Sequence, residues 1–508
     1  MASGVGLSVL PGRGFSQQQN GVIRRPNIVF ICSDQHSGLQ LMGQPGGEIQ
    51  ARTPNLRRLA EMGVRFTNAY SVNPVCTPAR AALMTGRFAS DVGSYCNSTP
   101  FEGQVPTWGN YLQKAGYSCW ATGKLDLTPK ADLGFKQVKT DQGHYEKPDI
   151  TSLFRRPMCY RVDERKQADG TVGDASAHDQ RVLETGLSIL RNDVPDGGKP
   201  WVTYMGFTMP HPPFITSQKY WDMYPPDQVR MPNVPPGYLE RLHPVFQTMR
   251  RFSMTATPIP EERIRHARTA YYGMISQLDE RIGQILDELE KRDELKNTLV
   301  IYTSDHGEML GEHGLWFKNG LLEGAARVPM ILAGAGLPQG KTFDAPVSHV
   351  DLVATMLDIA GITRPEGLRG HSLLPMIAGN ESLQPEFVYA ESHSEGNATG
   401  SFMIRKGRWK YIYFSWFGDN LLFDLESDPG EMNNLAGRPE HAGIVQELHG
   451  HLTSLVDPDA ITERAFEKQE RILAAMVQKN TLESFAQALE SRLGKGQAMA
   501  LAHKYYRS

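Results

Sequence analysis

The run Pro74-Val-Cys76-Thr-Pro78-Ala-Arg80-Ala-Ala-Leu-Met-Thr-Gly86-Arg87 places a thiol four residues before a guanidinium. Pro78 suits the first turn of a helix, where its missing N–H would have no partner anyway, and Ala79 to Thr85 propagates that helix well. Cys76 therefore belongs at a helix N-terminus, where the dipole and free N–H groups favour an anion. Arg80 shares its face and carries a planar fork suited to sulfate or phosphate. By residue type alone, a Cys capping a helix with an Arg on its surface is the plainer reading. Other chemistry-bearing residues follow short apolar runs. Asp34-Gln35 follows Asn27-Ile-Val-Phe-Ile-Cys-Ser, and Lys124 ends Tyr117-Ser-Cys-Trp-Ala-Thr-Gly. His211-Pro-Pro follows Trp201-Val-Thr-Tyr-Met-Gly-Phe207, and Asp305-His306 follows Thr298-Leu-Val-Ile-Tyr-Thr-Ser.

These four runs read as buried strands, each delivering polar groups at its carboxyl end. Helical patterns separate them: Thr53 to Gly63, Trp108 to Ala115, Gln180 to Leu190 and the long stretch from Ile264 to Arg292. Alternation of this kind predicts an α/β fold, a mostly parallel central sheet sandwiched by helices. In such sheets ligands sit just beyond the carboxyl ends of the strands, where these polar residues collect. From Glu386 the texture changes to short strand-like pieces between Gly, Asn and Asp turns, which predicts a small antiparallel α+β subdomain. From Ala460 onward the chain is rich in Ala, Leu, Gln and Glu without proline and should be helical. The expected organisation is a flexible leader over 1–25, a catalytic α/β domain over 26–385, the small subdomain over 386–455 and a helical arm over 456–508. A largely polar arm with an apolar stripe needs something to lie against, which predicts a homodimer or homotetramer.

Composition narrows the partners. The chain has 508 residues, and 53 Lys+Arg against 56 Asp+Glu leave a net charge of −3. Neither sign gathers in a block, which argues against nucleic acid or an anionic membrane surface and for a small-molecule partner. No run approaches the roughly 20 apolar residues of a spanning helix. The five cysteines, Cys32, Cys76, Cys96, Cys119 and Cys159, are odd in number and lack CxxC spacing, so neither a disulfide framework nor a structural zinc site is expected. The stretch before Pro26 is too weakly apolar for a signal peptide, and a cytoplasmic location is the simplest expectation.

The Cys-Thr-Pro-Ala-Arg run with its Thr85-Gly86-Arg87 ending resembles the first signature of the type I sulfatases of the alkaline phosphatase superfamily. Gly116-Tyr117 through Gly123-Lys124 is similar to the second signature. Gly307-Glu-Met-Leu-Gly-Glu-His-Gly-Leu-Trp-Phe, just before Lys318, is similar to the family's glycine-rich loop after the metal ligands. The likeness runs from Pro26 to Ala436, ending in Leu422-Phe-Asp-Leu-Glu-Ser-Asp-Pro-Gly-Glu-Met-Asn-Asn-Leu-Ala. It implies that a separate formylglycine-generating enzyme oxidises Cys76 to formylglycine, whose hydrated aldehyde attacks sulfur and forms a covalent sulfo-enzyme intermediate. The substrate would be the sulfate monoester of a small molecule or sugar. Asp34 and Asp305, with the Gln35 amide and His306, would hold one divalent cation together with a hydroxyl from residue 76. Oxygen-rich ligation favours calcium, and the imidazole also suits manganese. Arg80, Lys124, His211 and Lys318 would neutralise the sulfate oxygens, with His211 or Lys318 protonating the leaving alcohol. Asn97 falls where relatives place a polar substrate contact. Trp316, Tyr95 and His349 are candidates to shape the alcohol pocket.

Three departures from the pattern matter. Asp34-Gln35 stands where many relatives have two acids, and Asp305-His306 where they have Asp-Asn. Both resemble the subgroup of choline sulfatases and phosphonate monoester hydrolases. Asp126 stands where the family usually has a histidine. It could replace that histidine as a base, bind a cationic part of the substrate, or merely cap a turn. The alternatives left open are a phosphonate monoester or phosphodiester hydrolase with the same nucleophile, and an anion-binding protein with an unmodified Cys76.

Overall fold

The structure, a computed structural model, describes residues 25–41, 51–141, 143, 149–155, 158–195, 198–318 and 320–506. Apart from Arg25, the expected leader lies outside the described residues. The central sheet runs in the spatial order Lys341–Phe343, Gly63–Tyr70, Arg327–Gly334, Thr298–Ser304, Asn27–Ser33, Trp201–Gly206, Ser118–Lys124 and Lys136–Asp141. Val347–Ser348 also pairs with Gly63–Tyr70. Arg327–Gly334 is antiparallel to both of its neighbours; all other pairings in the sheet are parallel. The four strands read from the sequence are thus adjacent, parallel and central. Their continuous apolar character follows from burial on both faces. Val29 and Ile31 pack with the helices on one side, while Ile28, Phe30 and Cys32 pack on the other.

On the first face lie helices Pro54–Glu61, Ala177–Ser188 and Glu261–Lys291; on the second lie Cys76–Thr85, Trp108–Lys114 and His349–Ile359. The helix Cys76–Thr85 is buried along its whole length. It stops at Gly86, whose φ of +66° closes the last turn through an N–H donated to the Ala82 carbonyl at 2.8 Å. Only glycine adopts this left-handed cap without strain, and a Cβ here would also meet Leu368 at 2.2 Å.

The smaller sheet is a four-stranded antiparallel meander, Val388–Ser392, Ser401–Lys406, Trp409–Phe414 and Leu421–Asp424, with helix Ala442–Leu455 against it. Its Lys410 reaches back to the larger domain. There the buried ammonium lies 2.9 Å from Glu323, and it is also 2.8 Å from Glu431 of its own subdomain. The arm comprises helices Pro458–Lys479, Leu482–Leu493 and Lys495–Tyr506. Its apolar stripe is covered by the chain itself: Leu473, Phe485, Leu489, Leu493 and Leu501 pack with Cys96, Leu153, Phe154 and Phe252. The stripe therefore gives no reason to require a second copy. Among the described residues no helix is long and apolar enough to cross a membrane.

Leu489 is fully buried in that arm cluster. Leu489→Ala should lower unfolding stability by about 2–5 kcal/mol, the ordinary cost of emptying a leucine site, as read by urea denaturation. An unchanged midpoint would mean that the arm is not docked in solution.

Candidate active site

The parallel strands set the site. Register pairs Ser33 with Ser304 and Cys32 with Gly206, so Asp34 and Asp305 leave neighbouring strand ends side by side. Gly123 (φ +80°) and Gly206 let the next strand end approach, since a Cβ on Gly123 would meet the Gly206 carbonyl at 2.1 Å. That approach brings Lys124 under the same edge. Gln35, also at positive φ (+69°), is held by its N–H to Asp305 Oδ1 (3.1 Å) and by Tyr271, whose hydroxyl donates to the Gln35 carbonyl at 2.7 Å.

Arg80 is fully buried and ties this floor together. Its Nε donates to Asp305 Oδ2 at 2.9 Å, and its Nη1 donates to the Lys124 carbonyl (2.8 Å) and the Tyr204 hydroxyl (3.0 Å). Its Nη2 lies 3.5 Å from Asp34 Oδ2. Lys124 Nζ pairs with Asp34 and lies 3.2 Å from Asp126 Oδ2. Arg80 and Lys124, expected to face a sulfate, engage these carboxylates here, because two buried acids this close require compensating charge. Asp126, at φ +53° and fully buried, is an ion partner of Lys124.

Cys76 opens its helix directly above this floor. Its Sγ is 3.3 Å from His306 Nε2, 3.9 Å from Asp34 Oδ1 and 2.8 Å from Lys318 Nζ. Lys318 Nζ is also 3.1 Å from His211 Nε2 and 3.4 Å from Gln35 Oε1. Gln35, His211 and Lys318 stand at the base of a cleft of about 210 Å³ whose walls include Asn97, Phe317, Asp149, Arg161, Glu395 and Arg492. Asn97 Oδ1 accepts the Thr77 N–H at 3.2 Å, in the first turn of the Cys76 helix, and its Nδ2 donates to Glu395 at 3.4 Å.

The charges polarise one another. Burial and the Cys76 sulfur work to raise the Asp34 carboxyl, but Lys124, His211 and Arg80 together hold it well below the usual carboxylate range. Burial and the Asp34 charge push Asp305 up instead. Burial opposes a charged His306, yet Asp305 and Cys76 raise it; burial and the Lys318 ammonium lower His211. A ligand atom from each of Asp34, Cys76, Asp305 and His306 lies within 4.8 Å of all the others, as donors converging on one ion would. Two carboxylates and an imidazole fit a divalent cation, and the Gln35 amide oxygen borders the same space.

Of the residues singled out from sequence, Asp34, Gln35, Cys76, Arg80, Lys124, Asp126, Asn97, His211, Asp305, His306 and Lys318 gather within this one site. Trp316 does not. It is buried in the same core cluster as Phe317, their rings 6.3 Å apart, and of the two only Phe317 reaches the cleft wall. His349 is buried beneath the floor, 3.4 Å from Thr303 Oγ1, and Tyr95 stacks edge-on against His393 at 5.4 Å. Sequence reasoning missed Glu308, Asp149, Arg161, Glu395 and Arg492. Glu308 stands in the glycine-rich loop before Lys318, a signal that could have found it. Nothing local marks Arg492, which lies on the arm and pairs with Asp149 at 3.2 Å.

A cysteine-bearing helix over a carboxylate-rich strand edge, in this topology, points to the class. The chain is a type I sulfatase of the alkaline phosphatase superfamily, an enzyme that hydrolyses sulfuric esters: residues 26–362 match the family described as Sulfatase. Residues 311–457 match the family described as N-sulphoglucosamine sulphohydrolase, C-terminal, and the arm lies beyond both stretches. The chain is 34% identical to a choline-sulfatase of Rhizobium meliloti (strain 1021), over 82% of this chain and 83% of the relative. It is 31% identical to arylsulfatase K of Homo sapiens, over 88% and 86% respectively. A phosphonate monoester hydrolase from Silicibacter pomeroyi superposes with a TM-score of 0.70 at 26% identity, covering 84% of this chain and 94% of that one.

Burial holds three imidazoles neutral: His36 falls to about 3 and His313 and His349 to about 4, from an ordinary value of 6.5. The unfolded chain accepts protons that these groups refuse, so their contribution to stability is fully present above pH 6.5 and is lost as pH falls toward 4. Each imidazole loses up to about 1.4 kcal/mol for every pH unit crossed in that window. Urea midpoints should drop accordingly, and His349→Gln should flatten the slope. A slope unchanged by the substitution would exclude His349 as a contributor.

Proposed function

We propose that this enzyme hydrolyses a sulfate monoester with a nucleophile made from Cys76 by conversion to formylglycine. The observation that carries this is the position of Cys76. It lies at the positive end of a buried helix, with Lys318 and His306 within 3.3 Å of Sγ and the Asp34 and Asp305 carboxylates beside it. The sulfur stands in for the hydroxyls of the hydrated aldehyde, one to attack and one to release the product. A calcium or manganese ion held by Asp34, Gln35, Asp305 and His306 would supply the charge that lowers the pKa of that hydroxyl.

The remaining steps fall to the chain's own side chains. His211 Nδ1 lies 2.6 Å from the Pro212 carbonyl, which can only accept, so Nδ1 carries the ring proton and Nε2 presents a lone pair. Lys318 donates to that lone pair at 3.1 Å. Lys318 is therefore the proton donor facing the leaving alcohol, and neutral His211 aims it. Burial opposes the Lys318 ammonium, but Cys76 and Asp34 favour it and raise its pKa. Arg80 and Lys124 act at one remove, holding the carboxylates of the floor in place.

The test is peptide mass spectrometry across Cys76 after co-expression with a formylglycine-generating enzyme, beside rates on an aryl sulfate and an aryl phosphonate. We expect thiol-to-aldehyde conversion, turnover of the sulfate over the phosphonate, and loss of turnover in Cys76→Ala. Activity removed by a chelator should return with calcium or manganese. Faster phosphonate turnover would favour the phosphonate hydrolase reading. An unmodified Cys76 with no turnover would favour a protein that only binds anions.

A further inference from the structure

We propose that Glu308 is a positioning residue that sets which face of the Gln35 amide meets the cation and, through the same carboxylate, anchors the loop that delivers Lys318. The proposal rests on the reading of Asp34, Gln35, Asp305 and His306 as a cation site. Glu308 is buried, and its Oε2 accepts the Gln35 Nε2. A carboxylate can only accept, so the amide is turned with its NH2 toward Glu308 and its oxygen toward the site, where Oε1 already lies 3.4 Å from Lys318 Nζ. With the amide reversed, its oxygen would face the carboxylate and its NH2 would face both Lys318 and the cation, which is repulsive on both sides. A neutral ligand needs such a support. An aspartate at position 35 would present an oxygen either way, whereas a glutamine presents one only when something fixes its rotation.

The second oxygen of Glu308 does a different job. Oε1 accepts the N–H of Leu310 and the N–H of Phe317, each at 2.7 Å. These two residues bracket a loop with positive φ at Leu310 (+48°), Gly311 (+90°), His313 (+56°), Gly314 (+65°) and Phe317 (+65°). Three of the five are not glycine, so the loop holds backbone conformations that need external support. Its own cross-links, Met309 N–H to the Phe317 carbonyl (2.8 Å) and Gly311 N–H to the Leu315 carbonyl (2.9 Å), leave the Glu308 bridge as the tie to the metal side. Lys318 is the next residue. One buried carboxylate thus couples the ligand amide at position 35 to the ammonium at position 318.

The experiment measures calcium and manganese binding by calorimetry on the full chain, for wild type, Glu308→Gln, Gln35→Ala and the double variant, each checked for folding by circular dichroism. Glu308→Gln replaces one acceptor oxygen by a donor, so either the amide at 35 or the loop N–H groups lose their partner. We expect it to weaken cation binding about 10–100-fold, yet to add less than about 3-fold in the Gln35→Ala background. With aryl sulfates, kcat should fall most for the poorest leaving groups, a pattern that simple loss of folded protein would not produce. Wild-type affinity in Glu308→Gln, or an equal loss in both backgrounds, would overturn the proposal. A wild type that binds no divalent cation would instead overturn the cation-site reading beneath it. Should Glu308→Gln not fold, a crystal structure of calcium-loaded wild type decides: the Gln35 amide on Glu308 supports the proposal, and a separation beyond hydrogen-bond reach overturns it.

Discussion

Everything at the catalytic edge depends on keeping Asp34 and Asp305 charged beside each other while both are fully out of water. Carboxylates in that position repel one another and lose hydration, and only paired, well-directed positive charge makes the arrangement stable. Arg80 meets the requirement by touching both acids, and Lys124 adds a second cation to Asp34. Lys124, His211 and Arg80 hold the Asp34 carboxyl down, while burial and the Asp34 charge push Asp305 up. A divalent ion would complete the balance from the open side. The floor is thus a charge assembly first and a binding surface second.

This division explains why basic residues of similar type take different work. The two at the floor face carboxylates, and the two at the cleft, His211 and Lys318, face each other and the Cys76 sulfur. Asp126 belongs to the first group. It lies 3.2 Å from the Lys124 ammonium, so its negative charge is met within the floor.

The arm changes the outer half of the cleft. It lies beyond the stretches that match the sulfatase families, yet Arg492 reaches the wall that also carries Asp149, Arg161 and Glu395. Burial and the Asp149 charge raise Glu395 to about 8, with Arg161 opposing. The wall is thus of mixed charge and is partly built from a segment outside those stretches.

Much of this could be read from the chain alone. Strand ends carrying Asp34, Lys124, His211 and Asp305 are written in short windows, because apolar runs followed by polar residues obey local periodicity. The Cys76–Gly86 helix with its proline start and glycine stop is equally local. Strand Arg327–Gly334 was not legible, since Pro329 interrupts its pattern and its antiparallel direction is a property of the sheet. Arg80 could be placed on the face of Cys76, but its engagement with Asp305, 225 positions away, depends on strand register. The same holds for Glu308 with Gln35, Arg492 with Asp149, and the placing of Phe317 rather than Trp316 at the cleft wall. The sequence by itself determined which elements form and which chemical groups stand at their ends. Tertiary structure alone decided which of those groups neutralise one another and which remain to meet a substrate, because electrostatic pairing depends on distances of a few ångströms between segments remote in the chain.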